Sequence, residues 1–248
     1  MANNVFELKN GATIENAICA IELWHPNDWS STGGIVHAYN AVFRNNAKSV
    51  HAINYIDHYA SGNEIDYNSS FNKCSFIIDE NYLRVETFYE HIYLESIKGI
   101  SFKGCDFSIS PNVTGVSNYC IGIKAFGAGF YVEPYCEDHF HDPCPENMKR
   151  HNTFTNFYNG ILSADDGNHA RSFTVKYADF NHNNCGVFAH NISYATILNS
   201  EFNIGKGNSC CYGVYATNIT GFCIEENSFA PSQYALGDTY GIGIFMQR

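Results

Sequence analysis

A short element ending in phenylalanine recurs along this chain, and it constrains the fold more than any other feature. Copies read Ala41-Val42-Phe43, Phe71-Asn72-Lys73-Cys74-Ser75-Phe76, Ile100 to Phe107, Val175 to Phe180, Ile197 to Phe202 and Ile224 to Phe229. Apolar and polar residues alternate within each copy, the period of a half-buried strand. A second element, a glycine opening a short apolar strand, occurs at Gly160, Gly186, Gly213 and Gly241, spaced by 26, 27 and 28 residues. A unit of roughly 22 to 30 residues is too small to bury its own apolar face, so copies must stack. No helical period separates the strands, which argues against a βαβ repeat. The expected architecture is all-β: a right-handed parallel β-helix of about eight coils, three short strands to a coil, with inserted loops. An antiparallel β-sandwich is the alternative, but it gives no reason for near-constant glycine spacing.

In-register stacking makes a further demand. The residue two positions before each repeat phenylalanine shares its face, and it reads Ala41, Cys74, Cys105, Ala178, Ser200 and Asn227. Small residues beside a phenylalanine column fill a narrow core in layers. Cys74 and Cys105 are therefore expected to be buried free thiols. Asparagines at Asn45, Asn183, Asn184, Asn199, Asn218 and Asn227 suit corners, because asparagine tolerates left-handed backbone. Gly122, Gly127 and Gly129 read as corners too.

The net charge is −11, with 16% charged residues, so nothing resembles the basic stripe that nucleic acid requires. The same charge disfavours an anionic membrane surface, and no apolar run is long enough to span a bilayer. Met1 to Asn10 is polar and mixed, unlike a secretory signal. The strand-like run from Gly241 to Phe245 ends the sequence without a cap. Residues 1–248 thus read as one β-helix domain cut from a larger, exported protein, with self-association through open solenoid ends.

On these repeats the chain resembles the right-handed parallel β-helix proteins over roughly Phe43 to Phe245, and in its Asn- and aromatic-rich texture the surface proteins of Bacteroidetes-type bacteria. That superfold includes pectate-lyase-like and polygalacturonase-like enzymes, tailspikes and surface proteins. The resemblance implies a fold and leaves the activity open.

Residues 131–150 break the repeat with an acidic Cys/His segment. Ten cysteines in the chain suggest an oxidising compartment. Cys136 and Cys144 are expected to close the loop base as a disulfide. A metal site drawn from Cys136, His139, His141, Asp142 and Cys144 is the second reading, and a plain solvated loop the third. Zinc would suit the His and Cys donors, although their spacing matches no standard module.

The catalytic candidates are Asp165, Asp166, His169 and Arg171, which follow a Gly-Ile strand. Polygalacturonase-like enzymes use paired carboxylates to protonate a leaving oxygen and activate water, and lyase relatives use calcium with a basic residue. Their Gly-His-Gly and Arg-x-Lys motifs are missing here, and Asp-Asp-Gly is also a common turn. Trp24 and Trp29 could form a sugar-stacking platform or could cover the first coils. The leading expectation is a non-catalytic secreted or cell-surface module: a stalk, an adhesin or a carbohydrate-contacting surface, without a cofactor. Its partners would be a polysaccharide or another protein surface. The alternative is a lyase or glycoside hydrolase acting on acidic polysaccharide, with calcium or zinc as the ion if one is used.

Overall fold

The computed structural model describes residues 5–23, 34–53, 57–58, 64–65, 69–138, 140–165, 171–205, 210–231 and 241–247. Three parallel sheets of eight strands each are wound together as a β-helix. In chain order each coil contributes one strand to the first sheet, one to the second and one to the third. The strands Ile100–Lys103, Asp106–Ile109 and Val116–Phe126 make up one such coil, and Thr196–Leu198, Glu201–Ile204 and Cys211–Thr217 another. Among the described residues no helix is long and apolar enough to cross a membrane.

The second sheet carries the phenylalanine repeat in strict register. Phe43, Phe76, Phe107, Phe154, Phe180, Phe202 and Phe229 face one another from strand to strand. Neighbouring rings stack with centroids 4.7–5.0 Å apart and planes within 11° of parallel. That spacing is the strand-to-strand distance of a sheet, so the backbone ladder itself sets the ring contacts. Each stacked pair contributes about 0.5–1.5 kcal/mol beyond its buried area. A shift of one residue would turn the whole column to solvent, so the column also fixes register.

The small-residue column lies beside it as expected. Ala41, Cys74, Cys105, Ala178 and Ser200 are buried. Cys74 and Cys105 are free thiols. Burial pushes the Cys105 thiol well above its usual range.

The glycine ladder departs from the sequence expectation at both ends. Strand register pairs Ile121 with Asn159 and Ile123 with Ile161, which places Gly122 level with Gly160. Gly122 is therefore a ladder member and not a corner. At the other end Tyr212 pairs with Ile242 and Val214 with Ile244, so Gly243, not Gly241, continues the column. The ladder is needed because ring and backbone both press on it. A Cβ at Gly160 would lie 2.8 Å from Phe180 and 2.8 Å from the Gly186 carbonyl oxygen.

Asparagines divide into two roles. Asn45, Asn199 and Asn218 adopt left-handed backbone, with φ of 54°, 50° and 51°. Asn183 and Asn227 instead turn inward as bridges. The Asn183 amide accepts from the Phe157 N–H and donates to the Phe154 carbonyl, each at 2.8 Å. Asn227 does the same for the Ser200 N–H and the Ile197 carbonyl, at 2.9 and 2.8 Å. Buried corners must pair their backbone groups, and these amides do so.

Candidate functional site

A groove of about 710 Å³ runs along the outer face of the third sheet. Ile121, Asn159 and Cys185 lie side by side in register and form its floor. Leu162, Phe188 and Tyr215 form the adjacent outward column and flank it. Tyr119, Tyr158, Asn184, Cys210 and Tyr212 complete the lining.

The geometry follows from two departures from regular sheet. Phe88 pairs with Val116 and Glu90 with Ile121, so the strand from Val116 to Phe126 carries extra residues in a bulge. The bulge swings Tyr119 out to 67% exposure, a usual way for a strand to re-aim a side chain. Tyr119 then stands edge-on to Tyr158, centroids 4.9 Å apart at 71°. The second departure is a run of apolar residues without alternation. In Val187-Phe188-Ala189 and Val214-Tyr215-Ala216 the outer residues face the core, which leaves the middle ring outside. Phe188 stacks on Tyr215 at 5.2 Å, Tyr215 on Phe245 at 4.9 Å, and Tyr212 stands across Tyr215 at 4.8 Å and 87°. Tyr119 and Tyr212 both line the groove, each edge-to-face with a neighbouring tyrosine.

Among the described residues the lining contains no Asp, Glu, Lys, Arg or His. Burial pushes the Cys185 thiol up to about 12, so it is protonated at neutral pH. The Tyr212 hydroxyl is also raised to about 12, first by its hydrogen bond with Cys210 and then by burial. The described lining is therefore neutral. Its most informative polar group is Asn159. Only 6% of this residue is exposed, yet its carboxamide has no hydrogen-bond partner among the described residues. The atoms of Asn159 that stay accessible open into the groove.

The residues singled out from sequence fall elsewhere. Asp165 follows the third-sheet strand Asn159–Ala164 at a corner, is 3% exposed, and does not line the groove. Its backbone N–H donates to the His190 carbonyl, and its own carbonyl accepts from the Asn191 amide at 3.1 Å. Arg171 donates to the Gly127 carbonyl at 3.1 Å. Asp166 and His169 lie outside the described residues, as do Trp24 and Trp29. No concave site uniting the four catalytic candidates is therefore described.

The acidic loop sits at the corner between the first and second sheets. Cys136 and Cys144 are joined by a disulfide, with Cα atoms 5.9 Å apart. Tyr135–Cys136 pairs antiparallel with Lys149–Arg150 across its base. Lys73–Glu137 at 2.9 Å and Arg150–Asp106 at 2.6 Å tie it to the solenoid wall. Both sulfurs are thus engaged with each other and not available as thiolate ligands. His141 pairs with Asp138 at 2.5 Å, Asp142 is exposed, and His139 lies outside the described residues. Among the described residues no group of three His, Cys, Asp or Glu side chains is placed to hold a metal.

Sequence reasoning missed the groove. The available signal was the loss of alternation at Phe188 and Tyr215, which makes one bulky ring in each strand face out. No family model matches this chain, and no curated protein matches it. Among solved structures it is similar to the Streptococcus pneumoniae surface protein and adhesin PfbA, at 9% identity over 99% of this chain and 91% of that one, with a TM-score of 0.26.

Proposed function

We propose that this chain is a non-catalytic β-helix module that holds a neutral oligosaccharide along its third sheet, in an exported or surface-displayed protein. The observation that carries this reading is an aromatic groove with Asn159 in its floor, a carboxamide without a hydrogen-bond partner among the described residues. A sugar hydroxyl can both donate to and accept from such an amide. The apolar face of a pyranose packs on tyrosine rings such as Tyr119 and Tyr212. The uncharged lining and the net charge of −11 favour a neutral sugar over an acidic one. Among the described residues no lining side chain is an acid able to protonate a leaving oxygen, which favours binding over cleavage. The Cys136–Cys144 bridge on an exposed loop suits an oxidising compartment.

The test separates binding from folding. Asn159→Leu removes no hydrogen bond among the described residues, so its unfolding midpoint should stay close to that of the parent. Calorimetric titration with neutral glucan and mannan oligosaccharides should nevertheless show affinity lost. Tyr119→Ala should weaken binding about tenfold, the equivalent of about 1.4 kcal/mol of ring contact. Full affinity in both variants, or a preference for acidic polysaccharides, would exclude this site.

A further inference from the structure

A second depression of about 340 Å³ adjoins the groove and shares Tyr158 and Asn184 with it. It lies over the corner that joins the second and third sheets, where Ser110, Ser117, Asn118 and Asn156 meet Val113 and Val116. The two compartments differ in chemistry. The groove is ringed by aromatics, whereas the second depression is lined mainly by hydroxyl and amide side chains. They also differ in place: the groove lies on the third sheet, and the second depression lies beside it at the corner, lined from three successive coils.

The second space is a consequence of the same bulge. The extra residues between Val116 and Ile121 lift Ser117, Asn118 and Tyr119 off the regular sheet. Tyr119 is thereby aimed at the groove, while Ser117 and Asn118 face the corner depression. One local irregularity thus builds a wall of each compartment. The Ser117 hydroxyl accepts from the Tyr119 N–H at 3.1 Å, which fixes the relation between the two. Asn184 carries its amide at the shared boundary, within reach of a ligand in either space.

Resting on the carbohydrate reading of the groove, we propose that the two depressions are one site for a branched neutral glycan. The backbone of the glycan lies along the aromatic groove. A side branch passes Tyr158 and Asn184 into the polar depression. A straight, unbranched chain on the flat third sheet fills only the first compartment, because the second lies to the side of that path. Both volumes are in the range of spaces that hold a small ligand unit. A branch sugar, with hydroxyls on every side, suits serine and asparagine walls better than an apolar substituent does.

The test uses Asn118→Trp, a change at an exposed residue that lines the second depression and not the groove. Titrations compare linear neutral glucans and mannans with singly branched counterparts of the same backbone length. In the parent protein the branched forms should bind at least tenfold more tightly. In Asn118→Trp that advantage should vanish while affinity for linear forms stays within twofold. Equal binding of linear and branched forms by the parent, with Asn118→Trp indifferent to both, would overturn the branch proposal and leave the groove reading intact. Binding of no neutral glycan by the parent would overturn both. Unchanged circular dichroism and unfolding midpoint confirm that the variant is folded.

Discussion

Gly186 lies directly against the ring of Phe202. A Cβ added to Gly186 would sit 2.6 Å from Cδ1 of Phe202 and 2.7 Å from the carbonyl oxygen of Gly213 on the next coil. The glycine column of the third sheet and the phenylalanine column of the second are therefore two halves of one packing device. The strand can pass close over the stacked rings only where it has no side chain.

Gly186→Ala should accordingly destabilise the protein by about 1–3 kcal/mol, the usual cost of forcing an extra methyl into a packed interior. Urea unfolding is the measurement. Adding Phe202→Leu to Gly186→Ala should give a loss smaller than the sum of the single changes, because the ring is one of the two contacts relieved. Strict additivity would show that the ring and the glycine are not coupled.

Asn183 gives a second prediction. It is 3% exposed and pairs two backbone groups of the preceding coil, at Phe157 and Phe154. Asn183→Leu keeps the branched shape and leaves both groups unpaired, at about 1–3 kcal/mol each. Asn203 provides the comparison: its amide donates to Asn181 at 2.6 Å from the outer face, where water replaces a lost partner. Asn203→Ala should cost under about 0.5 kcal/mol. Similar losses at the two sites would refute the bridging role.

The solenoid was legible because its order is periodic. The phenylalanines, the small residues two positions earlier and the corner asparagines are local patterns, and stacking follows from them once the unit proves too small to stand alone. Local pattern did not reveal the phase of coils with unequal loops. Gly241 lies nearer the expected spacing than Gly243, yet the ladder runs through Gly243. Gly122 was hidden because an inserted loop separates it from Gly160 by 38 residues, outside the common spacing. The groove was hidden for a different reason. Ile121, Asn159 and Cys185 are chemically unlike one another, and only parallel pairing makes them a floor. Sequence attention went to conspicuous residues such as Asp165 and His141. The structure places these at other corners of the coil, where chain insertions collect.

His91 stands at the ladder level that Gly122 occupies one coil later: Glu90 pairs with Ile121 and Ile92 with Ile123. Its ring packs among the core phenylalanines, 4.7 Å from Phe88, 5.8 Å from Phe157, 6.1 Å from Phe76 and 6.4 Å from Phe107. Nδ1 lies 3.2 Å from the Ser49 hydroxyl and Nε2 lies 3.4 Å from the Ser108 carbonyl. A carbonyl can only accept, so Nε2 carries the proton and Nδ1 accepts from Ser49. Complete burial lowers the pKa from 6.5 to about 3. The sign of the linkage follows. Above pH 6.5 the ring is neutral in both folded and unfolded chains, and its packing contributes fully. Below that value the unfolded chain takes up a proton that the folded chain refuses, so stability falls as pH drops from 6.5 toward about 3. Carboxylates begin to titrate in the lower part of that window, so the diagnostic region is its upper part, above about pH 5. His51 is lowered as well, first by burial, but it is only half-buried and pairs with Glu22 at 3.4 Å. Urea midpoints measured stepwise from pH 7 to 5 should therefore decline in the parent, decline almost as much in His51→Gln, and decline much less in His91→Gln. An equal decline in the parent and His91→Gln would mean that this ring is not the group responsible.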